Sequence, residues 1–345
     1  MRKARIKLTA LERPSWQTQL KTAIRTPEAL ADAVGLTLAQ LPYSAHADQQ
    51  FALLVPEAFA ARMERGNPDD PLLRQVLADT REDIETAGYT ADPLEETGRY
   101  AGDPGVLQKY TSRALLIVTG QCAVNCRYCF RRHYPYAQAR QSSEARRASL
   151  KKLLDDPAIE EIILSGGDPL MLPDQQLAAI SRQLRGYSRP VTLRVHTRLP
   201  IVIPDRVTGS LLNALDPKNV QTVVVVHANH PREIDGHTSA ALERLRDAGI
   251  TVLNQSVLLR GINDCAETLA ALNRRLFAAG TLPYYLHTMD PVQGAAHFDS
   301  GIEDARRITA ELAEQCPGYL VPKLVTETPG ARSKRQLAPS YPALP

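Results

Sequence analysis

Beyond residue 114 the chain alternates between two hydrophobic periods, and no other feature constrains its fold as tightly. Short β-branched runs at 115–119, 161–164, 191–196, 220–226, 251–257 and 284–286 read as buried strands. Between them, at 144–154, 174–184, 205–215, 239–248 and 266–279, apolar residues recur at helical spacing, and a helix at 303–316 follows the sixth run. Six such units predict a parallel α/β sheet, because parallel neighbours need crossover connections. Right-handed crossovers curl the series toward a barrel. In barrels of this kind chemistry gathers at the C-terminal ends of the strands.

The first hundred residues follow another pattern. Helical spacing at 15–23, 27–34 and 56–62 is interrupted by prolines, and Gly66-Asn-Pro-Asp-Asp-Pro71 supplies turn residues before a further expected helix start. Asp92-Pro-Leu-Glu-Glu96 and Gly102-Asp-Pro-Gly105 read as a loop into the next unit. The expected organisation is a helical extension at 1–105, a barrel at 106–330 and a C-terminal segment at 331–345. The extension has a supporting or subunit-contacting role, which would make a homo-oligomer.

The strand at 115–119 delivers a loop with three thiols, Cys122-Ala-Val-Asn-Cys126-Arg-Tyr-Cys129. A regular helix cannot aim all three at one centre, whereas a loop wrapped around a compact inorganic cluster can. Soft thiolates favour zinc, cuprous copper or iron–sulfur clusters. Structural zinc takes four protein ligands, and the remaining cysteines, Cys265 and Cys316, are single and distant. Three close thiolates suit a [4Fe–4S] cluster with one iron left open, since such clusters otherwise take four cysteines. A set of structural thiols or a partial zinc knuckle is the alternative.

Composition excludes other classes. Net charge is +3, from 41 basic and 38 acidic residues, so there is no basic footprint for general nucleic-acid binding. The longest apolar run, at 220–227, is too short to span a bilayer. The basic start, Met1-Arg-Lys-Ala-Arg-Ile-Lys7, has no apolar segment behind it and does not read as a secretory signal. Five cysteines, three of them clustered, point to a reducing compartment, and the expected location is cytoplasmic.

The cysteine loop, with Tyr128 before the third thiol, resembles the radical S-adenosylmethionine (SAM) superfamily. Within it, Cys126-Arg-Tyr-Cys-Phe-Arg131-Arg-His133 is similar to the lysine 2,3-aminomutases, above all the short branch that makes (R)-β-lysine for modifying bacterial elongation factor P. The resemblance implies a partial (βα)6 TIM-type barrel, with Cys122, Cys126 and Cys129 holding the cluster and its open iron holding SAM. It implies that Gly166, Gly167 and Asp168, in Ser165-Gly-Gly-Asp-Pro169, receive the amino group of SAM, and that His227 and Gln255 meet its adenosyl part. Read alone, the glycines make a turn and His227 is a buried histidine bonded to backbone.

The same resemblance implies pyridoxal 5′-phosphate (PLP) on Lys334, which follows a Pro329-Gly330 turn, with Lys109, Tyr110 and Arg113 gripping its phosphate. Lysine is the residue for a Schiff base once its pKa is depressed. Arg131 then takes the substrate carboxylate, a task for a planar fork, while Asp290 and Glu327 hold the side-chain ammonium of lysine. Relatives often have arginine where Lys109 stands and aspartate where Glu327 stands. Read alone, Lys334 and Lys109 are solvated charges and the two acids are surface residues. Longer relatives bind zinc through added C-terminal cysteines and one near Cys265; no zinc is expected here. The implied activity is the conversion of L-α-lysine to (R)-β-lysine with an electron donor. The alternatives are a 2,3-aminomutase for another amino acid, such as glutamate, or a non-enzymatic iron–sulfur or zinc protein.

Overall fold

The computed structural model describes residues 14–98 and 102–341. The basic start and the last four residues of the C-terminal segment lie outside the described residues.

Seven parallel strands, rather than six, form the wall of the barrel. They are β2 (Arg113–Thr119), β3 (Glu161–Gly166), β4 (Thr192–Thr197), β5 (Thr222–His227), β6 (Thr251–Val257), β7 (Leu282–His287) and β8 (Lys323–Thr326). Short antiparallel strands, β1 (Val106–Leu107) and β9 (Arg335–Gln336), close the two ends of the row. Each strand lies beside its neighbour in sequence, from β1 to β9, and the two end strands do not pair with each other. The barrel is therefore open. The seventh parallel strand comes from the Leu-Val at the end of the apolar run at 319–325, where Pro322 and Pro329 bound a segment too short to carry a clear period of two.

Helices cover the outside: α5 (Ser143–Asp155), α6 (Asp174–Arg185), α7 (Leu199–Val202), α8 (Gly209–Leu215), α9 (Gly236–Asp247), α10 (Ala266–Ala278) and α11 (Ile302–Gln315). The helix expected at 205–215 begins only at Gly209. Thr208 caps it by accepting a hydrogen bond from the backbone N–H of Leu211, and a separate short turn at Pro204–Arg206 precedes it. Strands buried on both faces read as continuous apolar runs, as in Val223-Val-Val-Val226 of β5.

The N-terminal extension contributes α1 (Trp16–Lys21), α2 (Pro27–Ala33), α3 (Ala45–Gln50) and α4 (Glu57–Ala60). Leu30, Val55, Phe59, Leu72 and Val76 belong to one apolar core with barrel residues such as Leu116, Ile162, Val195 and Val224. The helix expected after Pro71 is a series of turns instead. Buried Asp70 accepts hydrogen bonds from the backbone N–H groups of Leu72 and Leu73 and from that of Glu64, an alternative to helical bonding.

Candidate active site

Every residue expected to hold the cluster, SAM, PLP or the substrate lines one cavity of about 270 Å³ at the C-terminal ends of the strands. The cysteine loop leaves β2 and is clamped by the N-terminal extension. The backbone N–H of Asn125 donates to the Leu54 carbonyl at 3.1 Å, and that of Arg127 donates to the Gln75 carbonyl at 2.9 Å. Arg127, fully buried, pairs with Glu82 at 2.6 Å, and the same carboxylate takes Arg132 at 2.7 Å. A loop with little regular structure of its own is thus fixed by buried ion pairs on both sides of Cys129.

On the barrel side the loop is zipped to the glycine turn after β3. The Gly167 N–H donates to the Thr119 carbonyl at 2.8 Å, and the Asp168 N–H donates to the Gln121 carbonyl at 2.7 Å. A Cβ on Gly166 would meet the Thr119 oxygen at 2.3 Å, and its φ of +124° is one that side-chain-bearing residues avoid. A Cβ on Gly167 would meet the Gln121 oxygen at 2.4 Å. What these glycines admit is the backbone of the cysteine loop.

Asp168 is buried, and four donors converge on its carboxylate. Oδ1 accepts from the Thr197 hydroxyl and the Leu170 N–H, and Oδ2 accepts from the backbone N–H groups of Arg198 and Leu199. Burial pushes its carboxyl up, and the donors oppose that shift. With its lone pairs so engaged, Asp168 ties the turn after β3 to the turn after β4 and offers no free oxygen to an ammonium. His227 and Gln255 are direct register partners at the ends of β5 and β6. The His227 ring stacks on Tyr128, and its Nε2 lies 3.0 Å from the Tyr128 hydroxyl. The partner is thus a side chain, not backbone. Burial, then the Arg198 charge, holds the imidazole down at about 3, so it is neutral.

Among the other charged groups lining the cavity, several are paired with one another. Asp290 follows β7 and Glu327 follows β8, adjacent parallel strands. The β8–β9 hairpin pairs Thr326 with Arg335, so the next residues out, Glu327 and Lys334, face each other across its mouth and form an ion pair. Lys109 lies 3.8 Å from Glu327 and 3.1 Å from Glu96. Burial, reinforced by the Glu327 charge, raises Asp290 to about 7. The Arg113 guanidinium stacks on the Tyr110 ring at 3.7 Å, and its Nε is buried with no hydrogen-bond partner. His196 and His287 likewise have unpartnered buried Nε2 atoms.

Arg131 has a partner that sequence reasoning missed. Glu96 meets it at two points, and the Ser165 hydroxyl accepts from its Nη1 at 2.9 Å. Burial pushes the Glu96 carboxyl up, but Arg131 and then Lys109 outweigh it and hold the group at about 2. The sequence offered one signal, an acid in the loop leading into the barrel.

An open parallel barrel with three thiols after its first wall strand and a glycine turn after its second is the architecture of a radical SAM enzyme, and residues 116–272 match the Radical SAM superfamily. The chain is 46% identical over 333 residues to the L-lysine 2,3-aminomutase of Escherichia coli (strain K12), covering 96% of this chain and 97% of that one. It is 44% identical over 323 residues to the protein of that name from Haemophilus influenzae, covering 94% and 95%. For the Clostridium subterminale protein of that name the identity is 31% over 328 residues, covering 94% and 78%. The chain belongs to the lysine 2,3-aminomutase family of isomerases within the radical SAM superfamily.

Membership implies a [4Fe–4S] cluster and SAM, and the donor set fits them. The three thiols line one space, and burial pushes those of Cys122 and Cys129 up, Cys122 also feeling the charges of Cys129 and Cys126 and Cys129 that of Cys126. A positively charged iron core relieves that repulsion. Among the described residues no three acidic, histidine or cysteine side chains gather around a single-ion site; a cubane instead asks each thiolate to reach its own iron. Nor is any helix among them long and apolar enough to cross a membrane.

Proposed function

We propose that this chain moves the α-amino group of L-lysine to the β-carbon, giving (R)-β-lysine, with PLP held on Lys334. The observation that carries this reading is that Lys334, the acid pair Asp290 and Glu327, Arg131 and the three cluster thiols all line one cavity. When bound, the cluster and SAM supply a carbon radical able to abstract hydrogen, and PLP supplies a conjugated system that steadies the migrating nitrogen.

The chain's own residues provide position and charge. The Arg113 Nε, stacked on Tyr110 and lacking a partner, is a ready donor for a phosphate oxygen. Lys109 adds a point charge beside it, and the unpartnered Nε2 atoms of His196 and His287 offer polar contacts to a ring. Once Lys334 is committed to the cofactor it gives up its charge on Glu327, which keeps only the more distant Lys109 at 3.8 Å and can take the substrate's ε-ammonium. Asp290 completes the acid pair, and a glutamate side chain would meet two carboxylates there. Arg131, at the thiol end, offers its fork to the α-carboxylate. Lysine would thereby be held by its carboxylate on Arg131 and by its side-chain ammonium on the acid pair, inside one cavity.

The near full-length likeness to the shorter relatives supports the further reading that the product serves modification of elongation factor P in the cytoplasm. An anaerobic assay of the reconstituted enzyme with lysine, SAM, PLP and dithionite tests the function. β-Lysine is the expected product. Full cluster content with glutamate turnover, or with no amino-acid turnover, overturns the reading.

A further inference from the structure

Arg198 stands at the end of β4, fully enclosed, and the mechanism above gives it no task. Its backbone is fixed by the Asp168 carboxylate at 2.7 Å, and its guanidinium lies 5.3 Å from the Phe59 ring centre and 5.6 Å from that of Tyr128. Nη2 is spent on two acceptors, Glu233 Oε2 at 2.9 Å and Gln75 Oε1 at 2.6 Å. Nη1 is aimed at Cys126 Sγ, 2.7 Å away, and Nε is buried without a hydrogen-bond partner. Glu233 is itself immobilised: its Oε1 accepts from the backbone N–H groups of Asn229 and His230 and from the Gln75 amide. The three cluster thiols are therefore treated unequally. Among the described residues a guanidinium is aimed at Cys126, and none is aimed at Cys122 or Cys129.

We propose that Arg198, anchored by Glu233, is a positioning residue that sets the reduction potential of the cluster through a charge-assisted hydrogen bond to Cys126. The inference rests on the cluster reading of the cysteine loop. An N–H donor withdraws electron density from the thiolate, and a fixed cation favours the form of the cluster carrying the extra electron. Both effects raise the potential. Glu233 tempers the cation without touching the cluster, so the two side chains act in opposite directions. A purely structural pair would not behave so, since removal of either partner would do the same damage.

The test is a potentiometric titration, followed by electron paramagnetic resonance, of the reconstituted full-length enzyme and its variants, with iron and sulfide counted on each. R198M is expected to move the midpoint to more negative potential, E233Q to more positive potential, and R198K to fall between R198M and the parent. An R198M midpoint equal to that of the parent at equal iron content overturns the proposal, as do R198M and E233Q shifts of the same sign. If R198M retains no cluster, R198K and E233Q decide, and unmoved midpoints in both overturn it. Failure of the parent enzyme to take up iron and sulfide would instead overturn the reading of the cysteine loop.

Discussion

Glu96 meets Arg131 as a carboxylate meets a fork, with Nε 2.7 Å from Oε2 and Nη2 3.2 Å from Oε1. The pair is buried, and Lys109 shares the carboxylate. Glu96 thus holds the donors proposed for the α-carboxylate of the substrate. E96Q removes that internal competitor and leaves two cations under-compensated. Breaking one side of a buried pair costs about 3–5 kcal/mol. The expected outcome is a lower Tm for the ligand-free protein and a larger lysine-induced rise in Tm than in the parent. Thermal denaturation with and without lysine checks it; an undiminished Tm and an unchanged lysine shift would count against the competition. Because Glu96 is held at about 2, its contribution is complete above the unfolded carboxyl range and is lost as pH falls toward 2.

Asp290 has the opposite sign. Its native pKa is about 7 and its unfolded value about 3.9, so the native state keeps a proton that the unfolded chain releases. Stability contributed by this group is present below about pH 4 and declines as pH rises through about 7. D290N, neutral throughout, should match the parent near about pH 4 and become the more stable of the two toward about pH 8. Recognition of an ammonium needs the ionised form. The KM for lysine in the parent should therefore fall as pH rises through about 7, while D290N stays high and flat. A parallel pH profile in the two enzymes would show that Asp290 does not meet the substrate's cation.

The elements that sequence makes legible are those specified by local pattern. All six expected strands lie within about two residues of their final bounds, because a buried parallel strand announces itself as a β-branched run. The cysteine spacing, the Pro329-Gly330 turn before Lys334 and the acids beyond β7 and β8 are local signals too. What stayed hidden is tertiary pairing. Nothing near Glu96 in sequence points to Arg131, 35 residues away, and nothing near Gln75 points to Arg198, 123 residues away. The Asp70 turns are hidden for another reason. A helix-compatible apolar spacing over residues 72–77 was overridden by a carboxylate that bonds the backbone first. Asp168 stood out in the sequence, but three of the four donors on its carboxylate come from the end of a strand about 30 residues further on.

One carboxylate of the N-terminal extension carries the charged part of its grip on the cysteine loop. Glu82 accepts from Arg127 Nε at 2.8 Å, from Arg127 Nη2 at 2.6 Å and from Arg132 Nη2 at 2.7 Å. Removing it strands two buried guanidinium groups on either side of Cys129. E82A is expected to cost about 3–5 kcal/mol and to lower cluster retention, although residue 82 touches no thiol. Iron content after reconstitution and denaturant unfolding measure the two effects. Loss of stability with full cluster retention would mean that the loop keeps its shape without the clamp.

Gly167 and Gly209 make a controlled pair. A Cβ on Gly167 meets three backbone atoms of the cysteine loop: the Gln121 oxygen at 2.4 Å, the Gln121 carbonyl carbon at 2.7 Å and the Gly120 carbonyl carbon at 2.8 Å. Backbone cannot swing aside as a side chain can, so either the loop or the turn after β3 must shift. G167A should therefore lose iron on reconstitution and abolish SAM cleavage while α/β secondary structure persists. Gly209 opens α8, has open space around it and does not have the left-handed backbone that favours glycine. At such a site alanine stabilises by about 0.4–1 kcal/mol through the unfolded chain. G209A should keep cluster content and gain slightly in Tm. Equal iron content in G167A and G209A would show that the cysteine loop tolerates displacement from the glycine turn, and the close backbone contact would then lose its explanatory role.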